Sequence, residues 1–221
     1  MTYEAVLFDI DDTLCRYRRS GNELLDVAFR SLDVEPFFTV TDYHERYSAF
    51  VDNSDSVVDL RETCFASIAA ERGRDPALGR AVAAAFNAER DHRDVEALPG
   101  ALEAIDALSG RSLGIVTNGA PEMQHEKLDS LGVSDVFDVV VHAGYETPSK
   151  PDPSPFFRAL DALDVTPDAA AHVGNSLRSD VAGAHAAGVG SVWLENGTPD
   201  PAPVPDHTVQ SLFELPSLFE E

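Results

Sequence analysis

The stretch Val6-Leu7-Phe8-Asp9-Ile10-Asp11-Asp12-Thr13-Leu14 carries the reading of the whole chain. An apolar run ends in two carboxylates spaced two apart, and Asp-Thr follows at once. Side chains alternate across a strand, so Asp9 and Asp11 would share a face if the strand simply continued. At a strand's C-terminal end, carboxylates can instead gather round one point. Two acids that close repel each other unless a cation or a proton relieves them. A plain strand end also accounts for the pattern, with aspartate as turn former and Asp12 or Thr13 capping the next segment.

The bulk properties narrow the classes. A chain of 221 residues with 43% hydrophobic content buries a real core in one large domain or two small ones. No apolar run approaches the roughly 20 residues needed to span a bilayer. Glu4 and Asp9 interrupt what would be the apolar region of a secretory signal. Cys15 and Cys64 have no metal-ligand spacing and read as buried thiols, which fits a cytoplasmic location. The formal net charge of −23 predicts repulsion from nucleic acid and from anionic membranes, so neither is an expected partner. Acid is abundant and lysine scarce, as in proteins of salt-loving microbes, where screening removes the self-repulsion. Lys127 and Lys150 are the only lysines, which singles both out.

The pattern along the chain predicts a doubly wound parallel α/β sheet with a helical insert. From about Gly21 to Arg93 the periodicity is helical: Leu24, Leu25, Ala28 and Leu32 recur at helical spacing, then Cys64, Ile68 and Ala69. Leu98-Pro99-Gly100 punctuates the chain before a helix at Ala101–Leu108. Strict alternation follows. Strands are predicted at Leu113–Val116, Val139–Val141, Ala171–Val173 and Ser191–Leu194, and helices at Glu122–Leu131, Pro155–Leu163 and Asp180–Ala187. Such alternation implies right-handed crossovers and a parallel sheet. Residues 1–15 and 95–221 form the predicted core, and 16–94 the helical cap. Pro199 to Pro205 reads as a loop before a short strand near Thr208.

Ligands of open α/β sheets bind beyond the carboxyl ends of the strands. There the sequence places Asp9 and Asp11, then Thr117-Asn118-Gly119, then Lys150-Pro151, then Gly174-Asn175-Ser176 with Asp180 close behind. Each has a plain local explanation, as a turn, a solvated charge or a helix start. Together they put acids, a hydroxyl, an amide and a cation at one edge of one sheet.

In these motifs, and over nearly its whole length, the chain resembles the haloacid dehalogenase superfamily, in its phosphatase branch with a cap after the first motif. The resemblance rests on Asp9-Ile10-Asp11-Asp12-Thr13-Leu14, Thr117-Asn118-Gly119, Lys150-Pro151, and the run from Gly174 through Asp180 to Ala184. It implies a hydrolase of a small phosphorylated metabolite, with Asp9 as nucleophile and Asp11 as general acid and base. It implies that Thr117 and Asn118 bind phosphate oxygens and that Lys150 supplies fixed positive charge. Magnesium is the implied cofactor, held by Asp9, the backbone carbonyl of Asp11, Asn175 and Asp180.

One position departs from the family pattern, which has aspartate where this chain has Asn175. An amide oxygen can ligate magnesium but brings no charge. Either Asn175 binds the metal weakly, Asp180 contributes more, or metal affinity is lower. Two rivals share the fold: a 2-haloacid dehalogenase, which needs no acid at position 11, and a non-catalytic binding protein. Arg16, Arg18 and Arg19 read as carboxylate-paired residues at the cap connection, or as contacts for an anionic substrate. The histidines show no metal-ligand spacing, and Trp193, Phe37-Phe38 and Phe156-Phe157 read as packing.

Overall fold

The computed structural model describes residues 3–50, 54, 56–195 and 203–220. The chain divides into two compact units, one made of Met1–Tyr17 with His92–Glu221 and the other of Arg18–Asp91. It begins with β1 (Ala5–Phe8) and β2 (Cys15–Tyr17), continues through α1 (Gly21–Ser31), α2 (Val40–Phe50), α3 (Val57–Glu71) and α4 (Pro76–Glu89), and returns in β3 (Val95–Ala97). Then come α5 (Ala101–Ala107), β4 (Ser112–Thr117), α6 (Pro121–Leu131), β5 (Val139–His142) and α7 (Ser154–Leu163). The last elements are β6 (Ala170–Gly174), α8 (Ala182–Ala187), β7 (Gly190–Leu194), β8 (His207–Val209) and α9 (Leu215–Phe219).

The larger unit is an α/β sandwich around a six-stranded parallel sheet in the order β5-β4-β1-β6-β7-β8. Its central strand shows why an unbroken apolar run was needed. All four residues of β1 are fully buried; Val6 and Phe8 join the core on one face, Ala5 and Leu7 the core on the other. Helices cover both faces of such a sheet, so its strands read as continuous apolar runs. Leu128 of α6 and Ala104 of α5 pack on the first face, and Phe156 of α7 and Ala184 of α8 on the second. The short β2 and β3 form a separate antiparallel pair, with Tyr17 opposite Val95.

The helical unit has its own core of Leu24, Leu25, Phe29, Phe38, Phe65 and Phe86. Its aromatic rings meet edge-on, Phe38 and Phe65 at 4.8 Å between centroids. A capping box starts α1: Glu23 N donates to the Ser20 side chain, and Ser20 N donates to the Glu23 carboxylate at 2.7 Å. Leu32, expected on the buried stripe of this helix, is instead its C-cap and exposed, because the helix ends there and Phe29 fills the interior. Phe157 is likewise exposed while Phe156 is buried, since successive helical residues point about 100° apart. Asp180, expected to open a helix, lies in a π-helical turn over Leu177–Val181 ahead of α8. Part of the loop expected at Pro199 to Pro205 lies outside the described residues. Among the described residues, no helix is long and apolar enough to cross a membrane.

Helices α3 and α4 approach so closely that a Cβ on Gly79 would lie 2.2 Å from the Phe65 carbonyl oxygen. Alanine in an unconstrained helix gains about 0.5–1 kcal/mol over glycine. Here Gly79→Ala is expected to lower the unfolding free energy by about 1–3 kcal/mol, because backbone must move. Urea denaturation measures this, and an unchanged or higher midpoint would contradict the close approach.

Candidate active site

Strand order brings the motif residues together. β1 lies between β4 and β6, with Phe8 in register with Ile115 on one side and Val173 on the other. The three strands therefore end side by side, and Asp9, Thr117 and Gly174 stand at neighbouring positions along one edge. The backbone N–H of Asp9 still donates to Val173 O at 3.0 Å, which fixes where its side chain leaves the sheet.

Lys150 fills the point where these ends converge. Its ammonium donates to Asp9 Oδ1 at 2.9 Å, to Asp180 Oδ1 at 2.7 Å and to Val116 O at 2.6 Å. The Lys150 and Asp180 side chains are fully buried, and that of Asp9 is 11% exposed. Burial opposes the charge on Lys150, yet the two carboxylates outweigh it and raise its pKa. Burial also works against Asp180, but Lys150 and His172 hold it ionised, below the ordinary carboxylate range. His172 Nε2 lies 3.2 Å from Asp180 Oδ1, and Ser176 N donates to Oδ2 at 2.9 Å. Asp9 is left with the smaller share of the cation. Burial first, then repulsion from Asp180 and Asp11, pushes its carboxyl up to about 7.

Asp11 faces elsewhere. After β1 the chain folds into a tight turn in which Thr13, Leu14 and Cys15 all donate backbone hydrogen bonds to Ile10 O, and Asp12 takes a positive φ of 55°. That conformation is one aspartate tolerates better than most residues. The turn directs the Asp11 carboxylate to α6. Lys127 pairs with its Oδ1, and Gln124 Nε2 donates to its Oδ2 at 2.7 Å. The two lysines singled out by their rarity thus each hold one aspartate of the opening motif.

The remaining motif residues also meet here. Thr117 Oγ1 accepts from Gln124 Nε2 at 3.0 Å and from Gly119 N at 3.2 Å. A Cβ at Gly119 would sit 1.7 Å from Gln124 Nε2, so any side chain there would displace the Gln124 amide. The Asn118 side chain clamps the Lys150 backbone, accepting from its N–H at 2.8 Å and donating to its carbonyl at 3.1 Å. Asn175 Oδ1 accepts a long bond of 3.4 Å from Thr13, and its backbone carbonyl accepts from Trp193 Nε1 at 2.9 Å. Arg16 pairs with Glu96 and Arg19 with Glu89. Cys15 and Cys64 are buried thiols, and burial raises them to about 12 and about 11. Gln124, Lys127 and His172 were not among the residues expected at the site.

Three carboxylates face two ammonium groups, so negative charge is in surplus. Among the described residues, no three His, Cys, Asp or Glu groups converge into a metal site by themselves. The candidate donors are Asp9, the carbonyl of Asp11, Asn175 and Asp180. An all-oxygen set with few protein ligands suits a hard cation that keeps several waters, as magnesium does. The raised Asp9 carboxyl agrees, because a nearby cation would relieve it.

A sequence model of the haloacid dehalogenase-like hydrolases matches residues 3–188. The chain belongs to this family. It is 38% identical over 158 residues to a phosphoserine phosphatase of Thermus thermophilus, an alignment covering 71% of this chain and 64% of that one, so the chain spans less than two thirds of this relative. It is 30% identical over 228 residues to a glyceraldehyde 3-phosphate phosphatase of Methanopyrus kandleri, covering 99% and 97%. In three dimensions it matches a magnesium-bound HAD-hydrolase of Bacillus subtilis with a TM-score of 0.78 at 23% identity over the full length of both chains. A 2-haloacid dehalogenase of Pseudomonas syringae shares the fold at a TM-score of 0.69 and 26% identity, with 99% of each chain covered.

The Asp9 carboxyl yields a prediction about stability. Its pKa in the folded protein, about 7, exceeds the ordinary aspartate value of 3.8. Its contribution is therefore fully present below about pH 4 and is lost as pH rises through about 7. In metal-free buffer at pH 8, Asp9→Asn is expected to stabilise the protein by about 1–3 kcal/mol. The gain should shrink toward pH 5, where Asp9 takes up a proton. Thermal melting across this range is the check, and a variant less stable than the parent at pH 8 would show that the carboxylate is well compensated.

Proposed function

We propose that the protein is a magnesium-dependent hydrolase of small phosphomonoesters working through an aspartyl-phosphate on Asp9. The observation that carries this reading is the buried Lys150 ammonium bound to both Asp9 and Asp180, with a second acid, Asp11, held separately two residues on. Lys150 occupies Oδ1 of Asp9, and the second oxygen is assigned as the attacking atom. It forms a bond to phosphorus as the bond to the ester oxygen breaks, and Asp11, which enters this step protonated, gives its proton to the leaving alkoxide. Asp11 then takes a proton from water, whose oxygen attacks phosphorus. Phosphate leaves and the Asp9 carboxylate is restored. Both lone pairs of Thr117 Oγ1 accept hydrogen bonds, so its O–H is left to donate to a phosphate oxygen. Asn118 acts through the Lys150 backbone that it clamps. Magnesium, held by Asp9, the carbonyl of Asp11, Asn175 and Asp180, supplies positive charge for the phosphoryl group and the crowded carboxylates. The helical unit is assigned as the substrate-selecting cap, and the location as cytoplasmic.

The arrangement of Asp11 favours this reading over dehalogenation, because a halide leaves without a proton and needs no acid at that position. The relatives named as phosphatases support it further.

In high-salt buffer, hydrolysis of p-nitrophenyl phosphate should require magnesium and stop with EDTA. Asp9→Asn should lose roughly three orders of magnitude or more in kcat. No turnover across a broad panel of phosphate esters would sink the proposal. Asn175→Asp is expected to lower the magnesium concentration giving half-maximal rate, because a carboxylate replaces an amide. An unchanged magnesium dependence would remove Asn175 from the ligand set.

A further inference from the structure

Lys127 is as deeply buried as Lys150 but is not placed at the reacting atoms. Its side chain is 1% exposed, it pairs with Asp11, and its Nζ lies 4.7 Å from the centre of the Tyr17 ring. Burial opposes its charge, and Asp11 and Tyr17 outweigh that and raise its pKa. An apolar residue would fill this place on α6 at no cost in desolvation. Gln124, one turn earlier on the same helix face, is also buried, and its Oε1 has no hydrogen-bond partner among the described residues. A buried carbonyl left unpaired is unfavourable, and native structures rarely keep one without a reason. Both side chains point their donors at Asp11, one at each carboxylate oxygen. The Asp11 side chain itself is 45% exposed, so water alone could solvate it. The desolvation borne by α6 therefore serves the orientation of Asp11 rather than its solvation.

We propose that Lys127 is the positioning residue for Asp11: with Gln124 it fixes the plane of the acid–base carboxylate, and it takes its own orientation from the Tyr17 ring. Tyr17 closes β2 at the point where the chain leaves for the helical unit, and its hydroxyl lies 2.6 Å from Nδ1 of His92, where the chain returns. One buried cation thus ties the acid–base group to both chain crossings. This inference rests on the phosphatase reading and on the assignment of Asp11 as acid.

The test compares phenyl phosphate, whose leaving group needs a proton, with p-nitrophenyl phosphate, whose leaving group departs without one. For each ester kcat/KM reports the steps up to departure of the leaving group. Lys127→Met is expected to lose roughly tenfold more in kcat/KM on phenyl phosphate than on p-nitrophenyl phosphate, the same bias that Asp11→Asn shows. Added to Asp11→Asn, it should cost less than about threefold more, because residues acting through one group are not additive. Tyr17→Leu should show the same bias to a smaller degree. Equal losses on both esters, no loss on either, or a full further loss in the Asp11→Asn background would overturn the assignment while leaving the phosphatase reading intact. If Lys127→Met does not fold, Lys127→Gln is read by the same criteria. A parent enzyme inactive on both esters and across the broad phosphate panel would overturn both.

Discussion

One buried ammonium organises this molecule. Lys150 bonds two carboxylates and a strand-end carbonyl drawn from three places in the chain, and the sheet order brings the three within its reach. Adjacent strands lie about 4.8 Å apart. With β1 between β4 and β6, the ends of all three come within reach of one side chain. Breaking a buried pair by deleting one partner costs about 3–5 kcal/mol, because it strands the other charge. Here the cation has two buried carboxylates to satisfy. It satisfies Asp180 fully, with help from His172 and Ser176, and Asp9 in part. A carboxylate kept short of compensation is less stable where it sits and readier to bond an electrophile. Stability is spent at Asp9 and recovered in the apolar cores on both faces of the sheet.

Much of this was legible in the sequence because parallel strands buried on both faces advertise themselves. Val6 to Phe8 and Leu113 to Val116 are apolar runs, and Ala171 to Val173 is one broken only by His172; each stops at polar residues, and those stops make up the candidate site. The rest was hidden for physical reasons. Three-residue strands such as β2 and β3 carry no period to read. A stripe predicts which helical residues face inward but not where the helix ends, so Leu32 was assigned to a core that Phe29 fills. Gln124 and Lys127 were the costliest omission. Polar residues three apart on a helix read as a solvated face, and only the tertiary packing of α6 reveals that they point inward. The available signal was compositional: two lysines in a chain with a net charge of −23.

Asn175 makes sense within the same charge balance. Three carboxylates already face two lysines, so aspartate at 175 would add a further negative charge to a sheet edge where Asp9 is already undercompensated. An amide there keeps an oxygen donor and withholds the charge. The exchange is specific. A site with less negative charge repels an incoming phosphate less and draws a divalent cation less strongly. Trp193 anchors the backbone of this residue, and Thr13 makes a long 3.4 Å bond to its side-chain oxygen. Whatever a carboxylate would achieve at 175 by attraction, an amide can achieve only by position, whereas the two lysines act on Asp9 and Asp11 through their charge as well as their placement.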